Sequence, residues 1–383
     1  MGRFMGGTGV LGVASIVLAA GACSVDERGV TGAGGATGVG GVAADGSVGG
    51  AAGGPGSGTG GAPVPAHFET TRGNMIPPGG RGALLPDGRV FILNEAGAQT
   101  FDPASGTFTF AGNLITPRWA TAAVLADGRV LVAGGEIVVD NRTQPLAETE
   151  IYDFAQGAFV PGPPMTQPRG SLTATRMHDG RILVVCGDTA EVLDAAATAF
   201  TPVGNTTVTY YGHSAVLLAD GRVMVAGGND PRSVGGGQRA EVNLFDPATN
   251  TFRETSQLQF GNGTGLVALP DGRALKTGGY FGFEKSDGAT TWEPVNESVA
   301  SVGPMLEANI GTDGTVLSDG RVLFTFGASS ELFDPATNKF SPGPAPAPGP
   351  FPSGVLLRDG RVLFTANLVQ APIPATLFVP ATP

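Results

Sequence analysis

The run that decides the fold reads, from position 122 to position 135, Ala-Ala-Val-Leu-Ala-Asp-Gly-Arg-Val-Leu-Val-Ala-Gly-Gly. Two short apolar runs flank an Asp-Gly pair, and this pair tolerates the positive φ angles of a tight type I′ turn. Runs of this length and composition on either side of such a turn are typical of β-strands. The stretch therefore predicts a β-hairpin that ends in a glycine pair.

The hairpin signal recurs along the chain, since the tripeptide Asp-Gly-Arg occurs seven times at intervals of 40 to 52 residues. A fixed period of this length indicates a repeat architecture in which each repeat is one supersecondary unit. The seven copies start at Asp87, Asp127, Asp179, Asp220, Asp271, Asp319 and Asp359.

A second turn follows in most units, where an Asp at the end of an apolar run precedes an aromatic residue by six positions. The five clear pairs are Asp102 with Phe108, Asp153 with Phe159, Asp194 with Phe200, Asp246 with Phe252 and Asp334 with Phe340. In the fifth unit the matching residues are Asp287 and Trp292, which are one position closer, so we expect a different turn there. Each unit is thus predicted to contain four short antiparallel strands.

Seven such units predict an all-β fold, a seven-bladed β-propeller over residues 63–383 with four-stranded antiparallel blades. The last unit stops before its fourth strand. Phe68 precedes Asp87 by the same interval at which Phe108 precedes Asp127. The N-terminal strand near Phe68 is therefore expected to complete the last blade and close the ring.

The repeats resemble those of kelch proteins, which include the galactose-oxidase-like propellers. The resemblance rests on the diglycines that follow the second strand, on Ala-Glu before the third strand, and on the aromatic residue after the last turn. Only three units keep the diglycine, and Phe mostly stands where kelch repeats have Trp. The three diglycines are Gly134-Gly135, Gly227-Gly228 and Gly278-Gly279.

The amino terminus predicts export. Residues 1–22 combine an early Arg with a short apolar run and small residues, as in a signal peptide. The small residues lead to Cys23 and resemble a bacterial lipobox, which implies lipidation of Cys23 and an envelope location, with Ser24 favouring the outer membrane. Cleavage by the ordinary secretory peptidase is the alternative. Residues 23–62 are Gly-rich and predict a flexible tether.

Charge and composition exclude several functions. The net charge of −11 disfavours binding to nucleic acid, and membrane contact is expected only through the N-terminal lipid. The copper site of kelch-type galactose oxidases needs a convergent Tyr and His set with a thioether-linked Cys, which this sequence does not supply. We predict no metal, no cofactor and a monomer.

A binding surface is expected on the face of the ring opposite the Asp-Gly turns, because its loops vary in length. Insertions fall at residues 136–146 and 229–239. Large and directional side chains on such loops are typical of recognition sites for a protein or a glycan. The candidates are Arg118, Trp119, Arg142, Arg169, Tyr210, Tyr211, His213, Asp230 and Arg232.

An enzymatic alternative rests on carboxylates that share one position in the third strand, among them Glu150, Glu191 and Glu331. If they faced the central channel, they would act as general acids and bases. With Arg118 and Arg169 they would then resemble the site of a kelch-type sialic-acid mutarotase, an extracytoplasmic carbohydrate-modifying enzyme. The competing interpretation is that these side chains bond to neighbouring strand ends.

Overall fold

The computed structural model describes residues 64–75, 80–207, 212–230, 237–238, 241–258, 265–281, 284–308, 314–346, 354–365 and 373–381. The predicted signal peptide, Cys23 and the tether lie outside these residues. The described part is built from β-strands and turns. It contains no helix long and apolar enough to cross a membrane.

The strands form seven four-stranded antiparallel sheets, the blades, in chain order. The chain enters with β1 (His67–Met75) and then forms blade 1 from β2 (Arg81–Leu84), β3 (Val90–Leu93), β4 (Gly97–Asp102) and β5 (Thr107–Asn113). Blade 2 contains β6 (Trp119–Val124), β7 (Val130–Val139), β8 (Arg142–Pro145), β9 (Thr149–Asp153) and β10 (Ala158–Pro161), of which β8 is an extra strand on β7. Blade 3 contains β11 (Thr173–Arg176), β12 (Ile182–Cys186), β13 (Thr189–Leu193) and β14 (Phe200–Pro202).

Blades 4 and 5 each carry a small additional hairpin. Blade 4 contains β15 (Ser214–Leu217), β16 (Val223–Ala226), the hairpin of β17 (Asn229–Asp230) and β18 (Gly237–Gln238), β19 (Val242–Asp246) and β20 (Thr251–Thr255). Blade 5 contains β21 (Gly265–Ala268), β22 (Ala274–Thr277), the hairpin of β23 (Tyr280–Phe281) and β24 (Glu284–Lys285), β25 (Ala289–Trp292) and β26 (Val299–Ser301). Blade 6 contains β27 (Thr315–Val316), β28 (Val322–Phe326), β29 (Ser329–Asp334) and β30 (Lys339–Pro342).

The ring is closed by the two ends of the described chain, as the sequence predicts. Blade 7 contains β31 (Gly354–Leu356), β32 (Val362–Phe364) and β33 (Ile373–Val379), and its outer strand is β1. Phe68 pairs with Phe378 in the same way that Phe108 pairs with Phe101 in blade 1. The N-terminal strand therefore supplies the strand that the last repeat lacks.

Apolar contacts between adjacent blades form the core. Each second strand is buried on both sides, which explains its continuous apolar sequence; in β3 and β7 every residue from Val90 to Leu93 and from Val130 to Ala133 is buried. One apolar cluster joins blades 6, 7 and 1, and five others join the remaining adjacent pairs around the ring. Burial of this surface is the main term that stabilises a propeller.

The turn face, the side of the ring that carries the seven Asp-Gly-Arg turns, is held by repeated ion pairs. In every turn the Arg Nε donates to Asp Oδ2 over 2.7 to 2.9 Å. The Arg backbone N–H donates to Oδ1 of the same Asp. Burial opposes ionisation of these carboxyls, yet bonds from their own arginines hold their pKa below its ordinary value in Asp87, Asp220, Asp319 and Asp359.

Several of these arginines also reach the next blade. Arg273 Nη2 donates to the carbonyl of Pro335 over 2.7 Å, and its Nη1 donates to Asn338 Oδ1 over 2.8 Å. Arg361 makes the matching bond to Pro103, which ties blade 7 to blade 1. Blade 2 has Phe154 at this position, and Arg89 lies over its ring at 5.5 Å. Several turn arginines thus stabilise their own turn and also connect it to the next blade.

The prediction for the fifth unit is wrong in its alignment. Trp292 is the last residue of the third strand and pairs with Val299, which occupies the place of the usual aromatic residue. Glu293 stands in the Asp position, and its backbone N–H donates to Ser298. The spacing is therefore the same as in the other units. The substitution of Glu for Asp and of Val for Phe concealed it.

Candidate functional site

The loop face, the side of the ring opposite the turn face, carries the connections between the second and third strands and those between blades. In blade 2 the predicted insertion is a hairpin that extends the blade, with Val138 opposite Thr143 and Val139 opposite Arg142. Its tip, Asp140 and Asn141, has positive φ at both residues, as a type I′ turn requires. The hairpins of blades 4 and 5 occupy the same connection in their blades.

Of the eight large apolar side chains that are exposed among the described residues, four lie on the loop side of blade 2, and Val295, in a turn-face turn of blade 5, is exposed too. Trp119, at the start of the innermost strand, is 53% exposed, and Val138 in the hairpin is 73% exposed. Ile115 in the preceding connection and Val139 are also exposed. Leu306 takes the place of Ile115 in the connection that enters blade 6, and it is exposed as well. The five of these residues that lie on the loop face are called the loop-face apolar set below.

The position of Trp119 is fixed by backbone contacts. Its neighbour Gly135 has φ +95°, and a Cβ atom at Gly135 would lie 2.0 Å from the Trp119 carbonyl oxygen. A glycine is therefore required where β7 passes β6. Trp119 pairs with Glu136 across the two strands, and Val138 lies two residues further along β7, so the three side chains share one side of the sheet.

Arg118 and Arg169, both predicted to bind ligand, are buried inside their blades. Arg118 pairs with Glu150 and donates from Nε to the carbonyl of Gly134 over 2.7 Å. Arg169 pairs with Glu191 over 2.9 Å and donates to Thr189. Each arginine holds the connection into its own blade against the third strand. Both guanidinium groups are thus bonded to protein groups, and Arg118 Nη2 alone among their nitrogens is buried with no hydrogen-bond partner in the described residues.

The third-strand carboxylates bond to these connections too. Glu150 accepts the backbone N–H groups of Ile115 and Thr116, and Glu331 accepts those of Leu306 and Glu307. These contacts confirm the interpretation that the carboxylates bond to neighbouring strand ends, here the backbone of the connections that enter their blades. Burial raises the pKa of Glu331, and the two backbone bonds oppose this shift.

Arg118 and Arg169 do not converge on a common carboxylate, because each pairs with the Glu of its own blade. A groove on the described surface lies elsewhere, between blades 3 and 4 toward the turn face, and is lined by Arg181, Asp194 and Asn250 among others. The arrangement expected for a mutarotase-like site, with both arginines at one axial pocket, is not formed by these residues.

The remaining candidates differ in their accessibility. His213 is buried, and its Nε2 lies 2.9 Å from Thr173 Oγ1 of the adjacent blade. Arg142 is exposed in β8, and Asp230 lies in the hairpin of blade 4. Tyr210, Tyr211 and Arg232 lie outside the described residues. In the part of the chain that the structure describes, no three His, Cys, Asp or Glu side chains are grouped to hold a metal ion.

Sequence reasoning missed most of the loop-face apolar set. It identified Trp119, but it did not single out Ile115, Val138, Val139 or Leu306. A signal was present, since residues 137–139 form an Ile-Val-Val run inside a predicted loop insertion. An apolar run at the tip of a loop has no core to join, and it therefore indicates an exposed contact surface.

Comparison with known proteins supports the fold. A solved structure of streptogramin B lyase is similar to the chain with a TM-score of 0.61 and 13% identity, over 82% of this chain and 97% of that one. A fungal alcohol oxidase of the AA5 family, in complex with copper, matches with a TM-score of 0.41 and 18% identity, over 68% of this chain and 73% of that one. No protein-family model and no curated protein matches the sequence. At so low an identity, the likeness to the lyase shows the propeller fold alone.

Proposed function

We propose that this protein is a binding module of the bacterial cell envelope, which recognises a protein or glycan through its loop face. The observation that carries the proposal is the loop-face apolar set. Exposed apolar side chains that cluster on one face of a folded domain are typical of an interaction surface. The turn face, in contrast, uses its charged side chains in bonds between its own turns.

Trp119 is the central residue of the proposed surface. A half-exposed Trp on a rigid strand supplies a large contact area at little cost in conformational entropy, and it also stacks well on a sugar ring. Its backbone is fixed by the close approach of Gly135, so the side chain is presented in a defined place. Arg142, at the edge of the hairpin, adds directed hydrogen bonds around the apolar centre.

The proposal is tested by a binding screen of the full chain against glycans and envelope proteins. We expect Trp119→Ala to weaken the binding of any ligand found by roughly 10- to 100-fold, as for an interface hot spot. Phe110→Ala is the matched control, because Phe110 is an aromatic residue, 55% exposed, on the outer strand of blade 1. Equal losses in both variants, or no loss in Trp119→Ala, would contradict the choice of the loop face.

A further inference from the structure

Lys276, in the second strand of blade 5, is an unusual residue for its position. The six equivalent residues of the other blades are apolar and buried: Ile92, Val132, Val184, Val225, Phe324 and Phe364. Lys276 is equally buried, at 1% exposure. Among the described residues its Nζ has no hydrogen-bond partner, and burial lowers its pKa to about 7. An unpaired buried ammonium group is destabilising, so such a residue needs an explanation.

The residue opposite Lys276 is not the carboxylate that three other blades have at this position, and blade 7 likewise has a Thr there, Thr376. Lys276 pairs across the strands with Thr290, whereas Val132, Val184 and Phe324 pair with Glu150, Glu191 and Glu331. Thr290 is buried too, and its hydroxyl has no hydrogen-bond partner within the described ranges. Blade 5 therefore lacks the carboxylate that these sister blades have at this level, and it has an ammonium and a hydroxyl group instead.

The surroundings of Lys276 supply no counterion. The strands around it are β16, β19, β21 and β25, and their one ionisable side chain is Asp246, which lies at the turn-face end of β19. Nearer the loop face, the carboxylates of the adjoining segments are Asp230, Glu241, Glu284 and Asp287, of which Glu284 and Asp287 are exposed, and the cations in the sequence of these segments are Arg232, Arg239 and Lys285. Residues 256–264, which lead into blade 5, contain no Asp or Glu. Burial is the one cause of the lowered pKa, and no carboxylate opposes it.

The level of Lys276 is close to the loop surface. In blades 2 and 6 the carboxylates at this level bond to the backbone of Ile115 and Leu306, whose side chains are exposed on the loop face. A flexible lysine side chain spans a similar distance. In the sequence, Lys276 lies between the hairpin of blade 4 and the hairpin of blade 5. The loop face is therefore the surface of the ring nearest to the Lys276 ammonium group, which is itself buried.

We propose that Lys276 and Thr290 form a binding site for a carboxylate group of a ligand, which takes the place that Glu150, Glu191 and Glu331 occupy in the sister blades. One carboxylate oxygen accepts from Lys276 Nζ, and the other accepts from the Thr290 hydroxyl. Both buried groups are then satisfied. The inference deepens the proposed function, since it names an acidic ligand for the loop face, and its test does not depend on Trp119.

The test uses the full chain with lysines labelled at 13Cε. The chain has three lysines, and the Lys276 signal is the one lost in Lys276→Met. We expect sodium acetate to raise the midpoint of the Lys276 titration by about one unit or more, as for an ammonium group that gains a carboxylate partner. Sodium chloride at the same ionic strength is the control. An unchanged midpoint, or an equal shift with chloride, would overturn the proposal.

Two further variants separate the site from a merely structural lysine. Thr290→Glu places a carboxylate at the position where blades 2, 3 and 6 have one, so this carboxylate should pair with Lys276 and abolish the response to acetate. Thr290→Val keeps the ammonium group, and we expect it to bind acetate more weakly than the wild type. Persistence of the full acetate response in Thr290→Glu would show that acetate acts elsewhere and would overturn the site.

The source of the carboxylate is distinguished by two pairs of probes. Glucuronate is compared with glucose, and N-acetylglycine is compared with its amide. Response to glucuronate supports an acidic sugar, and response to N-acetylglycine supports a peptide carboxyl terminus. We expect Lys276→Met to weaken binding of the active probe by roughly 10- to 100-fold, and Lys339→Met, at an exposed lysine of β30, to leave it unchanged. Failure of both acidic probes would overturn a ligand-binding role.

Discussion

The two faces of the ring use charged residues in opposite ways. On the turn face the same Asp-Gly-Arg sequence recurs in seven blades, and each Arg bonds to its Asp, in several cases also to the next blade. On the loop face each blade differs, and blade 2 presents Trp119 and Val138 to solvent. Repetition therefore marks the residues that build the ring, and departure from repetition marks those available for recognition.

The largest effect is expected where the ring itself is opened. Deletion of residues 63–72 removes most of β1 and exposes the outer edge of β33, together with the cluster around Phe378. We expect the melting temperature to fall by at least roughly 10 °C. Both faces depend on this closure. A melt unchanged from that of the full chain would show that blade 7 is stable without β1.

A buried pair beneath the loop face should matter more than any ion pair of the turn face. Glu191→Ala leaves the guanidinium of Arg169, 1% exposed, without its carboxylate. We expect a loss of roughly 3–5 kcal/mol in the free energy of unfolding by urea. The double variant with Arg169→Leu should recover part of this loss, since it removes the unpaired charge. A loss below about 1 kcal/mol in Glu191→Ala would be inconsistent with this account.

Lys276 should make stability depend on pH. Its pKa is about 7 in the folded chain and 10.5 in its ordinary state, so between these values the unfolded chain binds more protons. The free energy of unfolding therefore rises with pH from about 7 to about 10.5, and the penalty is fully present below pH 7. Lys276→Met should remove this rise and stabilise the protein at pH 6 by an amount on the order of a few kcal/mol.

The control for the lysine is the difference between wild type and variant at each pH, because other groups titrate equally in both. A difference that stays constant from pH 6 to pH 10 would contradict the titration of Lys276. The measurement tests the contrast between the two faces. The charged groups of the turn-face Asp-Gly-Arg turns are paired, whereas the Lys276 ammonium group beneath the loop face has no hydrogen-bond partner among the described residues.

The smallest effects are expected on the turn face. Arg273 bonds to its own Asp and to the next blade, whereas Arg321 bonds to Asp319 within its own turn. We expect Arg273→Ala to cost roughly 1–2 kcal/mol of unfolding free energy and Arg321→Ala to cost less than about 0.5 kcal/mol. Equal costs would mean that the bonds between blades add no stability.

The fold could be predicted from the sequence because its signals repeat. Two turns per blade, at a nearly constant period, placed the strands, and the interval from Phe68 to Asp87 predicted the closing strand. The fifth unit was misaligned because Glu293 and Val299 replace the residues that mark the turn elsewhere. A repeat is visible only where its marker residues are kept.

The candidate site was predicted less well, because a sequence does not show on which side of a connection a side chain lies. Arg118 and Trp119 are adjacent, yet Arg118 is 2% exposed and Trp119 is 53% exposed. Arg and Trp are both common in recognition sites, so residue type alone does not distinguish Arg118 from Trp119. The pairing of Arg118 with Glu150, which belongs to a different strand of blade 2, depends on the tertiary structure.

The pairing of β1 with β33 also determines how the molecule can be attached to something else. His67, where β1 begins, lies opposite Val379, where β33 ends, and Val379 stands at the turn-face end of its blade. Both termini of the described propeller therefore emerge on the turn face. A tag, a bead or a surface linked to either end is placed behind the molecule, and the loop face is left pointing outward.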